Sequence, residues 1–151
     1  MTNEAVVEAI YLHRKKAGPM ELVAEAEARS GFGLEGDKYF QENEGAGPDR
    51  EITLIASEAI DAFRAETAIP FLPEESRRNV VTRGVALNPL VGREFRVGGA
   101  TLQGIRLCEP CAHLEKLTRP GVLRGFVGRG GLRARIVQGG TIRVGDSVVV
   151  E

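Results

Sequence analysis

Tryptophan is absent from this 151-residue chain, and aromatic residues make up only 5% of it. Platforms that stack the bases of single-stranded nucleic acid need exposed rings along a basic stripe, so the composition argues against nucleic acid as a partner. No apolar run approaches the roughly 20 residues of a membrane helix. The opening stretch, MTNEAVVEAIYLHRKK, lacks the basic-then-apolar order of a secretory signal. No membrane partner and a cytoplasmic location are therefore expected. Cysteine is scarce: Cys108 and Cys111 are the two in the chain, too few for a disulfide framework and closer to the catalytic or metal-binding usage of cytosolic proteins. No second CxxC and no HxxxH is available to complete a four-ligand zinc site, so no zinc is expected. The GxxxxGK[ST] spacing of a phosphate-binding loop is also missing.

What remains is 42% hydrophobic and 27% charged, the balance of a soluble globular chain. One domain over residues 1–151 is expected. The net charge of −1 hides an asymmetry. Residues 1–75 carry 7 Lys+Arg against 16 Asp+Glu, and residues 76–151 carry 13 against 5, with 12 of the 13 being arginine. Arginine offers a planar fork suited to phosphate and carboxylate. This points either to an anionic ligand or to two halves that interleave and neutralise each other.

Short apolar or alternating runs recur along the chain: residues 5–13, 50–56, 79–82, 93–97, 100–107, 132–138, 141–144 and 147–150 read as strands. Gly98-Gly99 is the turn of a hairpin, and Gly139-Gly140 and Gly145-Asp146 mark further tight turns. Residues 20–29 fit either helix or strand, with strand favoured. Ser57 is expected to cap a helix to about residue 66. Many short strands with regular turn signals imply a mainly β protein, a barrel or sandwich with a few short helices. The loop GFGLEG at 31–36 either cradles an anion, with Lys38 reaching it, or is a tight turn that needs positive φ. Arg77 and Arg78, before the strand at 79–82, either clamp a phosphate or lie on a solvated surface.

The chemistry centres on LCEPCAHLEKL at 107–117. A strand runs into it and a short helix, about 113–118, leaves it. Four readings compete. A thioredoxin-like redox pair needs a parallel βαβ setting, but the downstream sequence is hairpin-like. Zinc lacks ligands. Inert burial suits Cys108, which continues an apolar strand end. A single reactive thiol suits Cys111, where Pro110 stiffens the backbone and the helix start and nearby arginines favour the thiolate.

Five fragments in order, GFGLEGDKYF at 31–40, PDREITLIASEAI at 48–60, RRNVVTRGVALNPLVG at 77–92, FRVGGATLQGIRLCEPCAHLE at 95–115 and GRGGLRARIVQGGTIRVGD at 128–146, resemble the MOSC domain. This is the C-terminal domain of molybdenum-cofactor sulfurases, also found as small stand-alone bacterial proteins. The resemblance implies a closed β-barrel of the MOSC or pyruvate-kinase-barrel-like type. It implies one functional cysteine, at Cys111, carrying sulfur as a persulfide or ligating the molybdenum of the molybdenum cofactor (molybdopterin). Soft thiolate sulfur serves both uses. It implies cofactor-phosphate contacts from Lys38, Arg50, Arg77 or Arg78, and Asn79. The implied partners are a cysteine desulfurase or a molybdoenzyme acceptor. A separate electron donor is implied if the chain reduces N-hydroxylated compounds. Cys108 falls outside the family pattern and is left to packing or to pairing with Cys111. Many relatives read GDR-H where this chain has Asp37-Lys38-Tyr39. The chain is expected to lack the pyridoxal-phosphate domain of full sulfurases and the N-terminal barrel of the larger amidoxime-reducing members. The alternative is a small barrel module that binds anionic ligands or nucleic acid, with inert cysteines.

Overall fold

A computed structural model describes residues 5–14, 18–37, 40, 50–109 and 112–150. Alternation of apolar and polar residues builds strands β1 (Val6–Leu12), β2 (Glu21–Val23), β3 (Glu25–Arg29), β4 (Gly33–Leu34) and β5 (Ile52–Ala56). Helix α1 (Ser57–Thr67) follows, then a 3-10 turn at Pro73–Ser76 and β6 (Val80–Arg83). The second half holds β7 (Glu94–Val97), β8 (Ala100–Leu107), α2 (Ala112–Leu117), α3 (Val122–Gly125), β9 (Leu132–Gln138), β10 (Gly140–Arg143) and β11 (Val148–Val150). The fold is mainly β with three short α-helices among the described residues, as the turn pattern implies. None of those helices is long and apolar enough to cross a membrane.

One sheet has the order β11-β7-β8-β9-β5-β6-β1-β2, and a second has β10-β3-β4. All the ladders are antiparallel except β5–β6, which is parallel and joined through α1. The expected closed barrel is not realised as a closed sheet among the described residues, because β2 and β11 remain edges. The two ends of the curl do meet. Val6 bridges Ser147, and backbone bonds of 2.8 Å run from Val7 N to Asp146 O, from Gly145 N to Val7 O and from Val148 N to Ala5 O. Closure stops there because β1 is bulged between Val7 and Ala9 and then pairs with β2 through Ile10, Tyr11 and Leu12. The bulge also moves the alternation by one residue, so that Val7, Ile10 and Leu12 all enter the main core.

The last three strands are found where the sequence places them, but they do not pair with one another. β9 lies between β8 and β5, β10 pairs with β3, and β11 pairs with β7. The correction at α1 is local. Ala56, not Ser57, takes the capping position, with no side-chain cap. The Ser57 hydroxyl instead donates to Glu8 Oε1 and accepts from Arg83 Nη2, each at 2.8 Å.

Two cores result. The first lies inside the curled sheet, from Val7 and Ile10 to Ile142 and Val148. The second lies between the sheet and the helices, where Phe63 stacks on Phe126 at 4.4 Å and Phe71 meets both at 5.4 and 5.0 Å. Leu114 of α2 and Val122 of α3 are buried there too, which anchors the chain that follows the cysteine turn. Truncation at Phe63→Ala is expected to lower stability by about 3–5 kcal/mol, seen as a reduced urea midpoint at unchanged slope.

Arginines of the second half meet carboxylates of the first, so interleaving neutralises much of the asymmetry. Arg83 pairs with Glu8 at 2.7 Å and Asp61 at 2.9 Å, Arg119 with Glu75 at 2.6 Å, Arg129 with Glu66 at 3.0 Å and Arg143 with Glu25 at 3.5 Å. Hydrogen bonds from Arg83, then from Arg64, hold the Asp61 carboxyl below its ordinary value of 3.8. A depressed carboxyl favours folding above its unfolded value and loses that contribution as pH falls below it. Asp61→Asn should therefore flatten the loss of stability on acidification below about pH 4, measured by urea denaturation across pH, with the difference from the parent shrinking at high salt.

Candidate functional site

The segment that carries the cysteines leaves the end of β8 beside the start of β9. Cys108 N donates to Gly131 O at 2.7 Å. The Cys108 side chain is 1% exposed and its thiol is free, in keeping with the packing reading of that residue. Cys111 and Pro110 lie outside the described residues, as does Lys38.

The turn is braced from below by Arg78, itself buried. Its Nε donates to Gly130 O at 2.8 Å and its Nη2 to Cys108 O at 3.1 Å. A guanidinium withdrawn from water needs oxygen partners for its donors, and here backbone carbonyls on both sides of the β8–β9 seam take part. The turn is also tied to a groove of about 590 Å³ lined by Ala56, Glu58, residues 84–89, Gly128, Arg129 and Gly131. Exposed Glu109 accepts from Gly128 N at 3.3 Å, which links the wall of the groove to the cysteine turn.

Arg77 sits in left-handed backbone, φ 60° and ψ 30°, where it ends the 3-10 turn. That turn sends the two adjacent guanidiniums in different directions. Arg77 Nη2 contacts His13 Nε2 at 2.6 Å and Gly18 O at 2.9 Å. Because arginine has donors only, the His13 ring accepts through Nε2, which places its own proton on Nδ1. The side chain of Asn79 links three segments. Its Oδ1 accepts from Thr53 N at 3.1 Å and Thr53 Oγ1 at 3.2 Å, while its Nδ2 donates to Tyr11 O at 3.1 Å and Asp37 Oδ1 at 3.2 Å. Buried Asp37 also accepts from His13 N at 2.8 Å. Burial, with a smaller contribution from Glu74, raises the Tyr11 phenol above its ordinary value.

A family model of the MOSC domain matches residues 41–149. The chain belongs to the MOSC domain family. Its fold is similar to that of the YuaD protein from Bacillus subtilis, with a TM-score of 0.82 at 20% identity over 97% of this chain and 94% of that one. YiiM from Geobacillus stearothermophilus gives 0.76 at 18% identity over 97% and 75%. YiiM from Escherichia coli gives 0.71 at 20% identity over 100% and 70%. No curated protein sequence matches. The structural likeness concerns the fold; the family is associated with the molybdenum cofactor.

Within this MOSC domain the residues singled out from sequence divide into two groups. Arg78 belongs with the cysteine turn. Arg77 and Asn79 gather with Tyr11, His13 and Asp37 where β1 ends and β6 begins. Arg50 is exposed just before β5. The glycine loop is a tight turn: Gly31, Gly33 and Gly36 have φ of 85°, 113° and 88°. A Cβ on Gly33 would stand 2.8 Å from Glu51 O, a contact no side chain tolerates.

Three residues escape sequence reasoning. Asp37 was visible in the GLEGD fragment but carries no sign that it bonds Asn79. Glu51 reads as an ordinary polar position of a strand, yet it is buried and accepts from Gly31 N at 3.3 Å and Ile136 N at 2.9 Å. Glu115 reads as surface, yet its Oε1 accepts from Gly121 N at 3.0 Å and Leu123 N at 3.1 Å at the start of α3. Replacing Arg78 by Met should cost about 1–3 kcal/mol through the carbonyls left without a donor and change the rate at which Cys111 reacts with a thiol reagent. Arg50→Ala should stay within about 0.5 kcal/mol of the parent. Urea titration and timed thiol labelling check both.

Proposed function

We propose that the protein binds the molybdenum cofactor and that the Cys111 thiolate is the sulfur that meets the metal. The observation that supports this most directly is the braced turn. Arg78 and Gly131 fix the backbone leading to Cys111, and the same turn is bonded to a groove whose volume is that of a small-molecule site.

The donor set fits the group in kind. A soft thiolate suits molybdenum. The cofactor's phosphate wants cations with heads able to reach it, and exposed Arg50 is one such residue. Lys38 would join it, and Arg77 would do so through donors other than the Nη2 it gives to His13 and to Gly18 O. Arg78 and Asn79 commit hydrogen bonds to the protein's own backbone, so in this reading they hold the frame on which the others stand. When bound, the cofactor supplies two-electron chemistry suited to reducing N-hydroxylated compounds, with electrons from a separate donor protein. The chain's own residues would anchor it, hold the backbone at Cys108 in place and present the groove to substrate.

A sulfur-carrier role is the second reading, favoured by the exposure of Glu109 within the turn. The Cys111 thiolate would attack the terminal sulfur of a persulfide on a cysteine desulfurase. One S–S bond forms as another breaks, the partner's cysteine leaves as thiolate, and no net oxidation occurs. A cysteine thiolate on a molybdoenzyme acceptor would take the terminal sulfur by the same exchange, releasing the Cys111 thiolate.

Both readings are tested on protein purified from cells that make the cofactor. Molybdenum near one equivalent, lost in Cys111→Ser and kept in Cys108→Ser, is expected for the cofactor-binding role. A mass gain of about 32 Da at Cys111 that reductant removes is expected for the carrier. Equal metal content in the parent and Cys111→Ser, together with no reductant-removable mass gain at Cys111 in the parent, would refute the thiol site.

A further inference from the structure

His13 stands one residue past the end of β1, half-buried, and the chemistry proposed above does not use it. Its backbone is held. His13 N donates to Asp37 Oδ1 at 2.8 Å, and the same oxygen accepts from Asn79 Nδ2 at 3.2 Å. Its ring makes a contact of another kind. Arg77 Nη2 lies 2.6 Å from His13 Nε2 and 2.9 Å from Gly18 O. The two hydrogens of that nitrogen thus have one acceptor each. Gly18 O accepts at any pH. The imidazole accepts only while it is neutral.

A proton on Nε2 removes the lone pair that receives Arg77. Two cationic donors then face each other at hydrogen-bond distance, and they have to part. Histidine is the side chain that ordinarily titrates in the physiological range, so modest acidification opens this contact. An anionic oxygen placed between the two nitrogens reverses the sign of the interaction. It accepts from Nη2 and Nε2 together, and both bonds are charge-assisted. The charged groups around the ring, among the described residues, come from four directions. Arg77 faces it from the end of the 3-10 turn, and buried Asp37 accepts from its backbone. Glu74 acts on Tyr11, two residues earlier. Arg14, next in sequence, is paired with Glu21 of β2.

We infer that His13 is a proton-linked member of the anion site. Neutral, it keeps one donor of Arg77 occupied. Protonated, it turns that donor over to a tetrahedral dianion and adds a donor and a positive charge of its own. The dianion is the cofactor's phosphate, so the inference rests on the cofactor-binding reading for its ligand. One proton enters from solvent onto Nε2 as the anion binds, and the same proton leaves when the anion does. No other bond is made or broken covalently. Acid therefore favours loading, and a rise in pH favours release.

Sulfate is the probe, because it keeps both charges between about pH 5.5 and about pH 8, whereas a phosphate ester itself titrates at about pH 6. Isothermal titration calorimetry of the whole chain, in buffers of different protonation enthalpy, reads affinity and proton uptake together. Binding about tenfold tighter at the acidic end than at the alkaline end is expected, with protons taken up on binding. His13→Gln keeps an acceptor for Arg77 but cannot take the proton. It should bind with the parent's alkaline affinity at both ends, with no uptake. Arg77→Gln should weaken binding at the acidic end about tenfold. In proton NMR, the imidazole signal that His13→Gln lacks should titrate in the parent with a midpoint that sulfate raises, the reciprocal of the same linkage. Thermal melts show which variants are folded, and the proton uptake of the parent is read without any variant. Affinity that is the same at both ends, equal pH dependence in folded His13→Gln, or no sulfate binding by the parent would overturn the inference. Molybdenum held through Cys111 by a parent whose sulfate binding ignores pH removes the proton link and keeps the cofactor reading. Proton-linked sulfate binding by a parent that never carries molybdenum keeps the anion site and removes the ligand assigned to it.

Discussion

A guanidinium removed from water has to be surrounded by oxygen, and the architecture near the cysteines follows from meeting that demand at Arg78. The carbonyls of Cys108 and Gly130 lie just past the end of β8 and just before β9, neighbours in the sheet, while Arg78 lies just before β6, with β5 between. One side chain thus ties three parts of the sheet that backbone ladders alone would join only in sequence. Asn79, the next residue, does the same on the other side, drawing Thr53, Tyr11 and Asp37 together. Polar groups buried in this way specify a structure more sharply than apolar packing does, since a slipped register leaves donors stranded. The left-handed residue between the 3-10 turn and Arg78 is what allows neighbouring side chains to serve two different clusters.

Charge shapes the surface in a complementary way. The acidic first half and the arginine-rich second half are threaded through one another, and the exposed pairs that result each contribute little. Their joint effect is to set much of the arginine charge of the second half against the carboxylates of the first. An overall charge of −1 therefore says little about what a visitor meets at a given face.

Strand positions were legible because alternation is local: residues 100–107 and 132–138 match β8 and β9 to the residue. Pairing was not legible. Nothing near residue 140 marks β3, more than a hundred residues earlier, as its neighbour, and the tight Gly-Gly turn suggests a local hairpin instead. The family pattern implied a closed barrel, and the bulge in β1, which redirects that strand towards β2, has no sequence signal beyond the outward Glu8. At the site, the pattern drew attention to residues 77 to 79 but could not tell a ligand contact from a strut, because both need a polar side chain at the same position. The carboxylates of Asp37 and Glu51 were hidden for a related reason: a buried acid that bonds backbone amides looks, in sequence, like any exposed one. The two residues on which the proposed chemistry most depends, Lys38 and Cys111, lie outside the described residues.

The ladder between β10 and β3, and the one between β6 and β1, bear on how the molecule comes into being. A chain emerging from the ribosome presents β1 and β3 long before either partner has been synthesised, and loop closure over such spans is slow. The sheet segment that supports the cysteine turn needs β9, whose last residue is Gln138. Cys111 is therefore made 27 residues before β9 is complete, and the frame that supports the thiol forms only once Gln138 has been added.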